Sequence, residues 1–409
     1  MPDKRCAVVL SSDAIGLGAT RSLGAGGVRT IVVMQHRWEP VRFSRYGEKR
    51  VVPRSGDFED ALMAVLRGIT MRHRPVLIPT SDFYADFIDR HRTTLQDRFR
   101  CSIPSRDVMA LVLDKARDTK RLAAAGISLP RTVADLPPRP DDLVRALGLP
   151  LIIKPRTYVD KRELGWRNVV ARRPEHVVEF YGSHRHALGR VIAQELIPGA
   201  DTALWECIGV FDDRHELRTA FTFRKLRTVP AHFGQTSHGR SERNEEVLAV
   251  ARRIGALLEY TGPADFDLKY DERDGRYKYL ELNPRLGLCN YFAMRCGVNL
   301  ALAAYHAACG DEMPATSQRD GRTFLALMED CGGRLQDGDS IPRVCRDLVT
   351  ALVRRPIGSY AAWEDLLPGP LAAVRLGLRL IDRAIRGQLA SVFTKEFAIS
   401  REALVDSGP

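Results

Sequence analysis

The chain has 409 residues, 44% of them hydrophobic and 28% charged, and 62 Lys and Arg against 51 Asp and Glu give a formal net charge of +11. That length divides into two or three domains, and no apolar run reaches the ~18 residues that a membrane-spanning helix needs. The positive excess is spread along the chain without a basic tail, a zinc finger or an RNP-type aromatic motif, so it permits anionic small-molecule ligands and argues against nucleic acid.

In chain order, short apolar runs predict strands at 6–10, 30–34 and 76–79, with helical patterns over 57–68 and 83–92. This alternation predicts a Rossmann-like α/β domain over residues 1–104. The run Cys6 to Leu10 is too short for a secretory signal, which makes a cytoplasmic location the expectation. The glycine-rich stretch VVLSSDAIGLGATRSLGAGG looks like a dinucleotide fingerprint but departs from it. After Gly16 and Gly18 the third small position is Arg21, and the second strand ends in Gln35 and His36 where a ribose-binding acid belongs. The stretch therefore reads as a tight strand-to-helix turn. Eight scattered cysteines show neither a C-x-x-C pair nor metal spacing, so reduced packing residues are expected.

A helical segment follows residue 105, then the proline-rich linker LPRTVADLPPRPDDL, then strands to about residue 299, and beyond about 320 a helical, Arg-rich stretch. The most informative piece is GPADFDLKYDERDGRYKYLELNPRLG, residues 262–287, which predicts a hairpin across the turn DERDG. Asp265, Asp267 and Lys269 fall on one face of its first strand, opposite Phe266 and Leu268; Glu281, Asn283 and Arg285 follow in the second, opposite Leu280 and Leu282. A register pairing Asp267 with Glu281 gathers the polar groups on one side. Facing carboxylates are costly there unless water solvates them or a cation neutralises them, and oxygen ligands of this kind suit Mg²⁺. A solvated sheet face and a metal site are both compatible with the hairpin alone.

The motif ELNPR resembles the metal-binding signature of the ATP-grasp superfamily, and further segments match its pattern in order over roughly residues 105–310. The resemblance implies an ATP-grasp fold, α/β and α+β, behind the Rossmann-like domain: an ATP-grasp domain over 105–318, with a small nucleotide lobe at about 105–193 and a large metal-binding lobe at about 194–318, then a helical extension over 319–409. It implies Mg²⁺ on Asp267, Glu281 and Asn283, and ATP phosphates on Lys115 of the DK pair and Lys154 of IIKP. The segment AQELIPGAD resembles the interdomain hinge, which places Gln194 at the adenine amino group, Glu195 beside it, backbone bonds at Leu196 and Ile197, and the ribose on Asp201. Lys225 and Arg227 alternate on FTFRKLRT and would point toward the transferring phosphate or a substrate carboxylate, with Arg285 orienting the acyl phosphate.

One segment departs from the pattern. The loop TYVDKRELGWRN after Lys154 has a single glycine, Gly165, where the superfamily is glycine-rich, so Lys161, Arg162 or Arg167 would meet phosphate instead. A second loop, 231–240, is placed to close over substrate, with His232 and His238 as exposed loop residues.

The implied activity is ATP-dependent ligation: a carboxylate, an amino acid for preference, becomes an acyl phosphate and is joined to an amine as an amide, releasing ADP and phosphate. The motifs are closest to the D-aspartate ligase-like carboxylate–amine ligases. The partners implied are the small carboxylate and amine, with a larger anionic acceptor suited to the basic surface, and a homodimer is allowed. The alternative is an ATP-binding regulator that keeps the fold without the reaction. In the tail, Arg375, Arg379, Arg383 and Arg386 form a helical stripe within residues 370–393. Such a helix can lie on an anionic membrane, but packing on the protein with its arginines in water is the preferred reading.

Overall fold

The computed structural model describes residues 6–54 and 56–385. Three sheets organise it. The first contains β1 (Cys6–Ser11), β2 (Arg29–Met34), β3 (Glu48–Val51), β4 (Val76–Pro79) and β5 (Arg100–Cys101), all parallel in the order β3-β2-β1-β4-β5. β1 is apolar throughout because both its faces are covered: Val8 and Leu10 pack toward Tyr84 and Phe87, while Ala7 and Val9 join a cluster with Phe221, Phe223 and Phe292. That second cluster spans two sheets and fixes them together.

Gly16 and Gly18 of the glycine-rich stretch lie inside a helix, Asp13–Ala25, with the turn before them at Ser12. A Cβ on Gly16 would lie 2.2 Å from Ser11 Oγ, and one on Gly18 would lie 2.7 Å from Asn290 Oδ1, so these glycines let the helix approach its strand and the helix Asn290–Arg295. At the end of β2 the Glu39 carboxylate accepts the Gln35 and His36 amides and the Ser11 hydroxyl, plugging the strand end. The helix Phe58–Arg67 starts at Asp57, whose side chain accepts the Glu59 and Asp60 amides, and stops at Gly68.

The second sheet is antiparallel: β6 (Thr132–Val133), β7 (Leu151–Pro155), β8 (Val169–Ala171) and β9 (Val191–Glu195), in the order β6-β9-β7-β8. The segment before it belongs elsewhere. Val112, Leu122 and Ile127 pack into the core of the third sheet with Trp205, Phe266 and Tyr279.

The third sheet holds β10 (Leu204–Phe211), β11 (Leu217–Val229), β12 (Gln235–Ser241), β13 (Gly262–Asp271), β14 (Arg276–Asn283), β15 (Thr323–Leu325) and β16 (Ile357–Gly358), in the order β14-β13-β10-β11-β12-β15-β16. Within the stretch expected as a helical extension, the short strands β15 and β16 lengthen this sheet at its β12 edge, beside the helices Leu327–Gln336, Ile341–Val353 and Pro368–Ile385. Asp365 anchors the same extension to the first domain through a fully buried ion pair with Arg21 at 2.8 Å. Of the tail's arginine stripe, Arg375 meets Asp13 at 3.1 Å. The side chains of Arg379, Arg383 and Arg386 lie outside the described residues. Among the described residues no helix is long and apolar enough to cross a membrane.

Candidate active site

The three sheets meet around a cavity of about 710 Å³. The carboxyl ends of β1 and β4 bring Ser12, Thr80, Ser81 and Asp82 to one wall; β7 and the segment after it bring Lys154, Tyr158 and Lys161 to another; the floor is the third sheet. Strand carboxyl ends of an open parallel sheet are where ligands dock in such domains.

The hairpin β13–β14 supplies the acids. Asp267 lies opposite Glu281 and Asp265 opposite Asn283, while Phe266 and Leu282 turn into the core. One detail differs from strict alternation. Asp267 pairs with Glu281 and Leu268 with Tyr279, so Leu280 is an unpaired bulge residue and reaches the cavity beside Glu281 instead of opposing it.

Below the acids sits a buried cation. Lys225 Nζ contacts the Asp267 carboxylate and lies 3.2 Å from Glu206 Oε2, which also accepts from Thr236 Oγ1 at 3.0 Å. Burial works against the charge on Lys225, but Asp267 and Glu206 outweigh it and hold the ammonium above its ordinary pKa. Burial raises Asp267 to about 6, Lys225 pulling it down and Glu206 and Glu281 pushing it up. Burial also pushes Asp265 well above the usual carboxylate range, with Glu206 adding to the shift and Arg285 opposing it. Asp265 Oδ2 accepts from Arg285 Nη1 at 2.7 Å, while its Oδ1 is buried without a partner. The backbone makes room for this carboxylate at Gly287, where a Cβ would come within 2.8 Å of it.

Across the cavity, cations converge on Glu281. Lys115 Nζ lies 3.5 Å from its carboxylate. Burial alone would raise Glu281, but Lys115, Lys154, Arg167 and Lys161 together hold it well below the usual carboxylate range. Burial in turn lowers Lys154 to about 8, with Glu281 offsetting part of the shift, and the charge of Arg167 lowers Lys161 to about 8.

The donor set of Asp267, Glu281 and Asn283 is two carboxylates and one amide, all hard oxygen ligands. Among the described residues no three His, Cys, Asp or Glu form a self-sufficient metal cage. Such a set fits Mg²⁺, which takes one or two carboxylates and completes its shell with phosphate oxygens and water.

No protein-family model matches the chain. Over 318 residues it is 26% identical to the D-aspartate ligase of Enterococcus faecium (strain Aus0004), a match that covers 72% of this chain and 74% of that protein. The biotin carboxylase of Campylobacter jejuni, solved as a β,γ-ATP complex, superposes with a TM-score of 0.60 at 14% identity over 77% of this chain and 73% of that one. The N5-carboxyaminoimidazole ribonucleotide synthetase of Thermus thermophilus gives 0.59 at 16% identity over 78% and 82%. The chain has the ATP-grasp fold.

The residues of AQELIPGAD make several contacts of their own. Gln194 accepts from Lys154 Nζ at 2.9 Å and donates to Thr132 Oγ1 at 3.0 Å, so it tethers the lysine while still lining the cavity. The Glu195 carboxylate is held by Arg131 and Arg273. The Leu196 amide donates to the Pro150 carbonyl at 3.1 Å, and the Ile197 carbonyl accepts from Lys269 at 2.9 Å. Asp201 faces the cavity and pairs with His232 at 2.8 Å, an ion pair that raises the imidazole pKa.

Three expectations are corrected. The segment after Lys154 is the helix Tyr158–Leu164, capped reciprocally by Thr157 and Asp160 and ended by Gly165 at φ 75°. Lys161 and Arg167 line the cavity, whereas Arg162 is not on its wall. The stretch 231–240 is a loop only to Gly234; β12 begins at Gln235, and His238 is a strand residue lowered to about 4 by burial and by Arg227. Arg227 does not share a face with Lys225. Lys225 pairs with Gly239 and Arg227 with His238, so Leu226 is an extra bulge residue that reverses the alternation, and Arg227 forms a two-point ion pair with buried Asp330 at 2.8 Å. Arg227→Met is therefore expected to cost about 2 kcal/mol in urea denaturation by stripping Asp330 of its cation, with KM for ATP moving less than about threefold.

Sequence reasoning also missed wall residues. Glu206 had a signal, as a lone acid inside the apolar run LWECIGVF. Ser12 and Asp82 follow the carboxyl ends of β1 and β4, where an open parallel sheet binds ligands, so their neighbourhood had a signal; their place beside Arg285 comes only from the docking of the first sheet on the third.

Proposed function

We propose that the chain is an ATP- and magnesium-dependent ligase that activates a carboxylate as an acyl phosphate and joins it to an amine. The observation that carries this reading is that Lys115, Lys154, Lys161 and Arg167 line the same cavity as Glu281, Lys115 lying 3.5 Å from its carboxylate, with Asp267 opposite Glu281 on the neighbouring strand and Asn283 two residues on along its own. Four cations facing a pair of carboxylates match a triphosphate bound through divalent metal. Asp267, Glu281 and Asn283 would hold magnesium, which supplies neutralisation of the phosphate oxygens. Lys154, tethered by Gln194, and Lys115 steady the phosphates as point charges. Arg285 is locked in place by Asp265 and the Leu286 carbonyl, and it presents its guanidinium to the donor carboxylate.

The chemistry then balances without a protein nucleophile. A carboxylate oxygen attacks the γ-phosphorus as the bond to the β-phosphate oxygen breaks, giving acyl phosphate and ADP. The amine attacks the acyl carbon, phosphate leaves, and the ammonium proton passes to solvent as the amide forms. The likeness to D-aspartate ligase makes an amino acid the preferred donor, with D-aspartate the first to try.

The test is ATP, Mg²⁺ and hydroxylamine with both enantiomers of each common amino acid and their 2-hydroxy analogues, reading hydroxamate and ADP. Hydroxamate with one donor is the expected result. ADP binding without hydroxamate from any acid would turn the reading toward a nucleotide-binding protein without ligase activity.

A further inference from the structure

We infer that Asp82 recognises the α-ammonium group of the donor, so that the site selects amino acids over hydroxy acids and simple carboxylic acids; this rests on the ligase reading above and on Arg285 as its carboxylate-orienting group.

The acids on the cavity wall are almost all committed. Glu195 is held by Arg131 and Arg273, Asp201 by His232, and Glu206 by Lys225 and Thr236; Asp265 is gripped by Arg285, and Asp267 by Lys225. Glu281 faces the four phosphate-side cations. Asp82 differs. Its one described contact is Arg285 Nε at 3.2 Å, and its side chain is 29% exposed on the cavity wall. Its neighbours there are spoken for: Thr80 Oγ1 bonds the Leu10 carbonyl and accepts the Ser12 amide, and Ser81 Oγ accepts the Tyr84 amide at the start of the helix Asp82–Arg90.

Asp82 and Arg285 are therefore a half-open ion pair. Arg285 spends Nε on Asp82 and Nη1 on Asp265 and the Leu286 carbonyl, and no described hydrogen bond uses Nη2. A guanidinium edge beside a partly exposed carboxylate has the opposite polarity to an amino acid, whose carboxylate and ammonium are held about as close together. A carboxylate taken by Arg285 brings an adjacent ammonium toward Asp82. A second carboxylate in that position would be repelled, and a hydroxyl would forgo the charge–charge attraction.

The experiment compares D-aspartate with D-malate, and each further donor found with its hydroxy analogue, in the hydroxamate assay on the full chain and on Asp82→Asn. The unmodified protein is expected to prefer the amino acid by about 100-fold in kcat/KM, and the substitution to collapse that ratio to within a few-fold of unity. A role confined to bracing Arg285 would lower both donors together and leave the ratio intact, which would overturn the inference. Equal use of amino and hydroxy acids by the unmodified protein would overturn it without any variant. Absence of hydroxamate from every acid is a different failure, that of the ligase reading itself.

Discussion

Glu281→Gln is expected to lower ATP-dependent turnover by on the order of 10³-fold while leaving the protein folded. Glutamine keeps the shape and the oxygen donor but removes the negative charge toward which Lys115, Lys154, Arg167 and Lys161 are directed. A magnesium ion held there would lose a carboxylate, and the four cations lose the anion that balances them when no nucleotide is present. Glu281 is 31% exposed in its side chain, so the unbalanced cations keep access to water and counterions, and the fold survives. The substitution separates binding from chemistry. Metal-free ATP should bind at least as tightly as to the unmodified protein, because the triphosphate no longer competes with Glu281 for the same lysines, whereas magnesium should add little. Calorimetric titration with ATP, with and without Mg²⁺, alongside ADP release reads both effects. Turnover within threefold of the unmodified protein would remove the metal assignment.

What the sequence disclosed was whatever local chemistry writes into a short stretch. The hairpin was legible because alternation and the turn DERDG fix its register, and Asp267 does stand opposite Glu281. The strands of the first sheet were legible because burial on both faces demands continuous apolar runs, and the ATP-grasp fold itself followed from motifs that occur in order. Three kinds of feature stayed hidden. Bulges at Leu226 and Leu280 each shift a strand by one residue, and nothing in FTFRKLRT or KYLEL marks where the extra residue falls, so Arg227 was assigned to the face of Lys225 and Leu280 to the face away from Glu281. Side-chain partners far apart in the chain, such as Gln194 with Lys154 or Arg285 with Asp82, arise only when the sheets dock. The segment after Lys154 reads as a loop by its relatives' glycines, yet Thr157 and Asp160 form a capping box that starts a helix, a signal that was present and outweighed by the resemblance.

The second large effect concerns stability. Lys225 is 4% exposed in its side chain, and it stands between Asp267 and Glu206, the latter 7% exposed, with Asp265 close enough to add to the field. Lys225→Met keeps much of the volume but leaves a cluster of buried carboxylates without its cation, a change expected to cost about 3–5 kcal/mol in urea denaturation at pH 8 in the presence of a chelator. The pH dependence follows from the direction of the carboxyl shifts. Asp267 already sits at about 6 with the lysine in place, and burial holds Asp265 well above its ordinary range. Without Lys225 both rise further, so between the ordinary carboxylate pKa and the raised one the native state holds protons that the unfolded chain has released. Stability of the variant therefore grows as pH falls through that window, and its deficit should narrow at pH 5.5 relative to pH 8. Magnesium should narrow it as well, since a divalent ion on Asp267 replaces part of the missing charge. A deficit that ignored both pH and metal would mean that Lys225 contributes through packing of its stem, and that the carboxylates settle their repulsion by sharing a proton with or without it.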